Sequence, residues 1–414
     1  MKINTLSIDY FILWLLSFVV LVDMINGFFV MEIDKFPISQ GFKLILLILF
    51  GFRLLGTKDL LFAILLLVIL QIGPVMGLIK TGDLNGFISD IVFSTKWFMV
   101  PFSYFYFKRL LKGVNFALVR EKIAKVVTRS YFFVGLNLLL GFAGLGMAFY
   151  NHGYQNALGT RGFIYAGNEL TILVLALAYL MAIFTFQKKA YKIYILLFLS
   201  FLLFSFLITS KTVLGGVLIV FLIPILSNFK LQIKRKWLDG IAIILFVGLP
   251  TLIFLFWYGI MKSGVVDKIR YSMIRNENDI LTVILSNRNN FVQKGWKVFA
   301  EDFNWAGKFF GYGQQLHLKL SGHTAEVDFF SMLFASGIIG ILCLLLLLLY
   351  WGLNARQLSM IGHYPFARST FLFLWFIIIA ANLSGHVLGS GIAGIFLGLS
   401  LAMMFIKEEA NGDG

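Results

Sequence analysis

Charge is scarce in this chain. Of 414 residues only 13% are Asp, Glu, Lys or Arg, against 59% hydrophobic, whereas a soluble globular domain carries roughly 25% charged residues. A water-soluble fold is thereby excluded. The single cysteine, Cys343, lies in the apolar run 340–349 and rules out an internal disulfide or a cysteine metal centre. That run does not alternate polar and apolar residues, which argues against a membrane β-barrel. Nucleotide fingerprints are missing as well: neither GxGxxG after a strand nor GxxxxGK[ST] occurs, so ATP-driven transport has no support. HExxH is absent too. His317, His323, Glu326 and Asp328 have no discriminating ligand spacing, and no metal is expected.

What the chain does have is apolar runs that repeatedly approach the roughly 20 residues needed to cross a bilayer. The expected spans are 8–30, 42–57, 60–79, 84–107, 131–150, 169–186, 193–209, 212–227, 238–258, 325–350, 370–386 and 388–406, about twelve in all. The first is read as a retained span, because no cleavage pattern follows it. The fourth contains Asp90, Lys96 and Pro101, so a re-entrant or interfacial segment is its alternative.

Net charge is +15. In a soluble protein that would raise nucleic acid as a partner; here the charge collects in turns between spans and reports orientation instead. The segment 108–129 holds seven basic residues and one acid, Glu121. With it inside, the basic turns at 187–189, 230–236 and 356–368 also fall inside. Both termini are then cytoplasmic, and 151–168 and 259–322 face outward. The expected fold is an all-α polytopic membrane protein: N-terminal transmembrane helices to residue 258, a large extracytoplasmic loop over 259–322, C-terminal helices over 323–406 and a cytoplasmic tail, 407–414.

The loop has nine basic and five acidic side chains, a balance of +4. Long loops escape the orientation rule, so an anionic ligand at the outer face is one cause and anionic headgroups another. Within it, 264–286 has the composition of an interfacial helix. Trp296, Phe299 and Phe303 share a helical face that would rest on the membrane or line a sugar-binding cleft.

Three outward features carry candidate chemistry. Residues 159–169 (Gly-Thr-Arg-Gly-Phe-Ile-Tyr-Ala-Gly-Asn-Glu) place the Arg161 fork, suited to phosphate oxygens, before Asn168 at the mouth of a span. Solubility alone would also account for Arg161. Lys211, in Thr209-Ser210-Lys211-Thr212 between two spans, either snorkels to headgroups or pairs with a phosphate. The third feature is Ser286-Asn287-Arg288-Asn289-Asn290 together with His323, Glu326 and Asp328. On a helix beginning near His323, Glu326 shares its face and would support it as a general base, while Thr324 capping explains the acids without chemistry.

In this order the signals resemble the bacterial O-antigen polymerase and O-antigen ligase superfamily. Arg161-Gly162 with Asn168 is similar to that family's Arg-Gly-Asn stretch, and Ser210-Lys211 stands where it often has Ser-Arg. Asn287-Arg288, Trp296 and Phe310-Gly311-Tyr312-Gly313 are similar to its Arg, Trp and Gly-x-Gly run in the large loop. His323 through Asp328, leading to Gly337-Ile338-Ile339-Gly340, is similar to its His-bearing loop end and Gly-x-x-Gly helix. Thr324 replaces the Asn that follows this histidine in many ligases, a departure that favours a polymerase.

The resemblance implies an inverting, metal-independent glycosyltransferase without cofactor, in the bacterial cytoplasmic membrane, which polymerises polyprenyl-diphosphate-linked oligosaccharides of an O-antigen or capsule. Arg161, Lys211 and Arg288 would bind the leaving diphosphate. His323, with Glu326 or Asp328, would take the acceptor proton, and Asn168, Trp296 and Tyr312 would contact glycan or acceptor. The implied partners are lipid-linked oligosaccharides, membrane lipids, a flippase and a chain-length regulator, and no nucleic acid. A ligase that transfers the glycan to a core glycolipid, and a transporter or flippase of the same lipid-linked sugar, are the alternatives.

Overall fold

The computed structural model describes residues 5–33, 37–113, 116–150, 158–228, 270, 273–274 and 279–407. Leucine, isoleucine and phenylalanine runs without polar punctuation form helices because a helix satisfies its own backbone, which a lipid-facing segment must do. The first half comprises α1 (Thr5–Leu16), α2 (Val19–Glu32), α3 (Ile38–Leu54), α4 (Lys58–Thr81), α5 (Leu84–Gly113), α6 (Phe116–Phe142), a hairpin of β1 (Met147–Tyr150) and β2 (Leu158–Gly162), then α7 (Gly167–Gln187), α8 (Tyr191–Ile208) and α9 (Lys211–Asn228). The second half comprises α10 (Ile280–Leu285), α11 (Arg288–Lys297), a π-helical turn (Val298–Asp302), α12 (Trp305–Phe310), α13 (Gly313–Ser321), α14 (Asp328–Ile361), α15 (Ala367–Leu383) and α16 (Ala393–Ala402).

Six described helices are long and apolar enough to cross a membrane, and the α1–α2 pair, bent by 41°, makes a seventh if it is one span. Among the described residues, twelve spans are therefore not reached. α15 and α16 are apolar but shorter, and the expected span 238–258 lies outside the described residues, as do most of 259–278. The segment 84–107 forms one helix, α5, unbroken through Pro101 for 30 residues, but it is not among the six long apolar helices. The expected span 131–150 is corrected at its end. Its helix stops at Phe142, and Met147–Tyr150 pairs antiparallel with Leu158–Gly162. Gly144 and Gly146, inside that expected span, take the left-handed backbone that turns the chain into the hairpin.

α7 is the most enclosed of the candidate spans, packed by α8, α9, α6 and α16. Carboxylates inside the bundle are paired across helices: Asp9 with Arg53 at 2.6 Å, Asp23 with Lys43 at 2.8 Å and Glu169 with Lys96 at 2.8 Å. An unpaired charge there would carry several kcal/mol of desolvation penalty.

The described part of the expected loop is docked onto the bundle rather than loosely folded. Phe299, Phe303, Tyr312, Ala325 and Phe334 form a second, smaller core, and the carboxylate of Asp90 on α5 accepts from the Gln315 amide at 2.9 Å. α14 is kinked at Gly337, whose φ of 67° is left-handed, because the backbone of Phe309 and Gly311 lies where a Cβ would stand. Only glycine satisfies both demands.

Candidate functional site

A cavity of about 710 Å³ lies between α7, α9 and α15, covered at one end by the α10–α11 junction. Its chemistry is divided. At one end stand Asn168, Ser210, Lys211, Ser286, Arg288 and Ser384; away from them the lining is Gly216, Ile219, Leu222, Ile223 and Leu226 of α9 and Leu372, Trp375, Phe376 and Ile379 of α15. Ile219, Leu222, Trp375 and Ile379 are about half exposed, so the apolar part opens sideways. From Lys211 to Leu226 the helix rises roughly 22 Å.

The sequence places these groups by simple means. Thr209 closes α8 in the left-handed region (φ 58°), which lets α9 begin two residues later with Lys211 in its first turn. Asn168 occupies the first turn of α7 and Arg288 that of α11. First-turn residues of three helices thus line the cavity together with two cations, an arrangement that favours an anion. The Lys211 ammonium donates to the Val283 carbonyl at 3.3 Å.

Arg288 is held firmly. Its Nε donates to the Glu326 carbonyl at 3.0 Å, and Nη1 to the carbonyls of Leu285 and Leu383 at 3.3 and 3.4 Å. Nη2 is 3.6 Å from the Glu326 carboxylate. Glu326 reaches this position through a left-handed backbone (φ 52°), and its carbonyl packs so closely on Gly385 that no Cβ fits there.

The expected helix from His323 does not form. Residues 322–327 are irregular and α14 begins at Asp328, so His323 and Glu326 do not share a helical face. Tertiary contacts to Arg288 and Gly385 override the local helix-start signal. His323 is exposed and stacks on Phe291, with ring centroids 4.7 Å apart, in a separate groove beside the cavity. Asp328 is buried, and its Oδ2 accepts from the amides of Val387 and Leu388 at 2.9 and 2.6 Å, which binds the α15–α16 connection to α14.

Of the expected diphosphate ligands, Lys211 and Arg288 share the cavity with Asn168. Arg161 does not line it. Its Nη1 donates to the Tyr165 carbonyl at 2.6 Å, with the guanidinium over the Tyr165 ring, and burial lowers its pKa. The hairpin that carries it does supply Tyr150 to the cavity wall. Trp296 is half exposed, outside the cavity lining. Tyr312 is buried, with its hydroxyl donating to Asn304 at 2.7 Å. Of the expected aromatic face, Phe299 and Phe303 turn into the small core and only Trp296 is left exposed.

Sequence reasoning missed Ser384, Gly385 and His386, which were absorbed into the span 370–386. The signal was a polar, glycine-bearing interruption inside an apolar run. His386 takes a left-handed φ of 56° beside the cavity-lining Gly385. Among the described residues no three His, Cys, Asp or Glu side chains come together as metal ligands.

Residues 266–410 match the family model described as "O-antigen ligase like membrane protein", 145 of the 414 positions. The match is consistent with the O-antigen polymerase and ligase superfamily and covers Arg288, His323, Glu326 and the α14–α16 region. Searches of curated proteins and of solved structures return no match.

Proposed function

Proceeding from the similarity of the C-terminal part to O-antigen ligase-like membrane proteins, we propose that this chain is an inverting, metal-independent glycosyltransferase of the bacterial cytoplasmic membrane. It joins polyprenyl-diphosphate-linked oligosaccharide repeats of a surface polysaccharide at the outer face. The coarser reading, a membrane enzyme of glycan assembly, rests on the family match. One observation carries the rest: a single cavity with two cations at its polar end and an apolar groove open to the side. That shape suits a diphosphate on a long hydrocarbon chain arriving by lateral diffusion.

The chemistry follows from the side chains. The donor glycan is attached through its anomeric carbon to the diphosphate. Lys211 and Arg288 neutralise the phosphate oxygens as that bond breaks, which stabilises charge that grows in the transition state. Glu326, beside Arg288, accepts the proton of the acceptor hydroxyl as the new glycosidic bond forms on the opposite face of the sugar. Asp328 and the Val387 and Leu388 amides position this corner. Arg161, on the neighbouring hairpin, serves the diphosphate only if it leaves Tyr165.

The topology proposed with this mechanism is about twelve spans, both termini in the cytoplasm, the segment 259–322 outside, and functional neighbours that flip the lipid-linked repeat and regulate chain length. The match to ligase-like proteins favours a second reading, transfer of the finished glycan to a core glycolipid. Purified protein incubated with lipid-linked repeat units, without nucleotide or added metal, should yield longer glycan and released polyprenyl diphosphate. Product only when core glycolipid is supplied would replace the polymerase by the ligase, and no product under either condition would dismiss both.

A further inference from the structure

We propose that the groove of about 360 Å³ lined by Asn287, Asn290, Phe291, Gln293, Lys294 and His323 is a saccharide subsite, and that His323 is a stacking platform in it. This rests on the reading of the main cavity as a diphosphate site, since it supplies the path of the glycan leaving that site. On α11, Lys294 stands four residues after Asn290 and three after Phe291, so the three share a face, and Asn287 is the helix's N-cap. Arg288 is one residue further round and lines the main cavity instead. From residue 288 to 294 the helix rises roughly 9 Å, the reach of a short oligosaccharide.

The two sites meet at a strained turn. Ser286 lines the main cavity and Asn287 the groove, and both are left-handed, with φ of 54° and 71°. Two consecutive residues other than glycine in that region persist only where the surroundings impose them, and such strain gathers at functional sites.

The groove's own chemistry reads hydroxyl groups. Three amides supply paired donors and acceptors, and no carboxylate is among the lining residues. Asn290 Nδ2 donates to Asn287 Oδ1 at 2.8 Å, which orients both amides. The Phe291 ring backs one face of the His323 imidazole, with an interplanar angle of 23°, while His323 itself is exposed and offers the other face to a sugar. Ser321 Oγ donates to the His323 carbonyl at 2.8 Å and anchors its backbone. Among the described residues neither imidazole nitrogen has a hydrogen-bond partner and the Lys294 ammonium has no ion-pair partner, so both are available to a ligand.

The test uses full-length protein in lipid nanodiscs and two probes. One is polyprenyl diphosphate without sugar; the other is lipid-linked oligosaccharide extracted from the source strain lacking this gene. The double variant Asn290→Ala/Gln293→Ala and the single variant His323→Ala should each weaken oligosaccharide binding about tenfold, with bare polyprenyl diphosphate held within about twofold. His323→Phe, which keeps a flat ring, should restore oligosaccharide binding. Equal loss toward both probes, unchanged binding of both, or no rescue by phenylalanine would each overturn the assignment. If wild-type protein fails to bind bare polyprenyl diphosphate while the groove variants still lose oligosaccharide, the diphosphate reading falls and the saccharide subsite stands.

Discussion

Replacing Arg288 by alanine tests the diphosphate site, and the size of the effect can be worked from the guanidinium's own contacts. A guanidinium has five N–H donors. The Nε proton goes to the Glu326 carbonyl, and the two on Nη1 go to the carbonyls of Leu285 and Leu383. Both Nη2 protons remain, with only the long 3.6 Å approach to the Glu326 carboxylate. Two charge-assisted hydrogen bonds to phosphate, at the lower end of their range, contribute about 3 kcal/mol, or on the order of 10²-fold in affinity. Arg288→Ala should therefore weaken equilibrium binding of labelled polyprenyl diphosphate by that factor and lower kcat/KM at least as much. Losing the carbonyl bonds also loosens the fold, so melting temperature is measured alongside. Lys211→Ala, which loses a single 3.3 Å bond to Val283, should show the binding defect with little effect on melting. If both variants bind within about threefold of wild type, the cations do not hold the diphosphate and the reasoning fails.

Three further outcomes are expected. Glu326→Gln removes the proposed base while keeping its shape, so kcat should fall on the order of 10²-fold or more, while bare polyprenyl diphosphate binds at least as tightly because a repelling charge is gone; full turnover would remove Glu326 from the chemistry. Gly337→Ala would set a Cβ 2.5 Å from the backbone of Gly311 and Phe309 at a φ of 67°, and should destabilise the protein by about 2–4 kcal/mol; an unchanged melting temperature would refute the close-approach argument. His317 is buried, stacked on Phe334 and close to the Gly295 carbonyl, and burial holds its pKa below 6.5. The unfolded chain then binds the extra proton more readily, so stability should fall as pH drops through 6.5 toward the lowered value and level off below it. His317→Gln should flatten that dependence, and a profile identical to wild type would show that this ring does not set it.

The membrane class and most helices were legible because uninterrupted apolar runs leave a lipid-facing backbone few choices, as at 169–186 and 193–209. Lys211 and Arg288 drew attention for a different reason: at a span end and in a long loop both expected to face outward, basic residues lack a topological cause, and the two line one cavity. The hairpin at Met147–Tyr150 was not, since its strands are short and read as a continuation of the preceding helix. The position of Glu326 was also hidden. It depends on Gly385 and Arg288, far away in sequence, overriding a helix-start signal that is locally sound. For the same reason the helical face expected for His323 and Glu326 does not form. Lys96 read as an interruption of an apolar run, and the pairs Asp23–Lys43 and Lys96–Glu169 were hidden because only the packing of separate helices brings their members together.

A structure of the protein with polyprenyl diphosphate bound tests the central claim most directly. Phosphate density is expected within ion-pair distance of both Lys211 and Arg288, and hydrocarbon density along Ile219, Leu222 and Trp375. Phosphate found elsewhere, for instance between Lys43 and Lys96 or at the far end of α9, would contradict it.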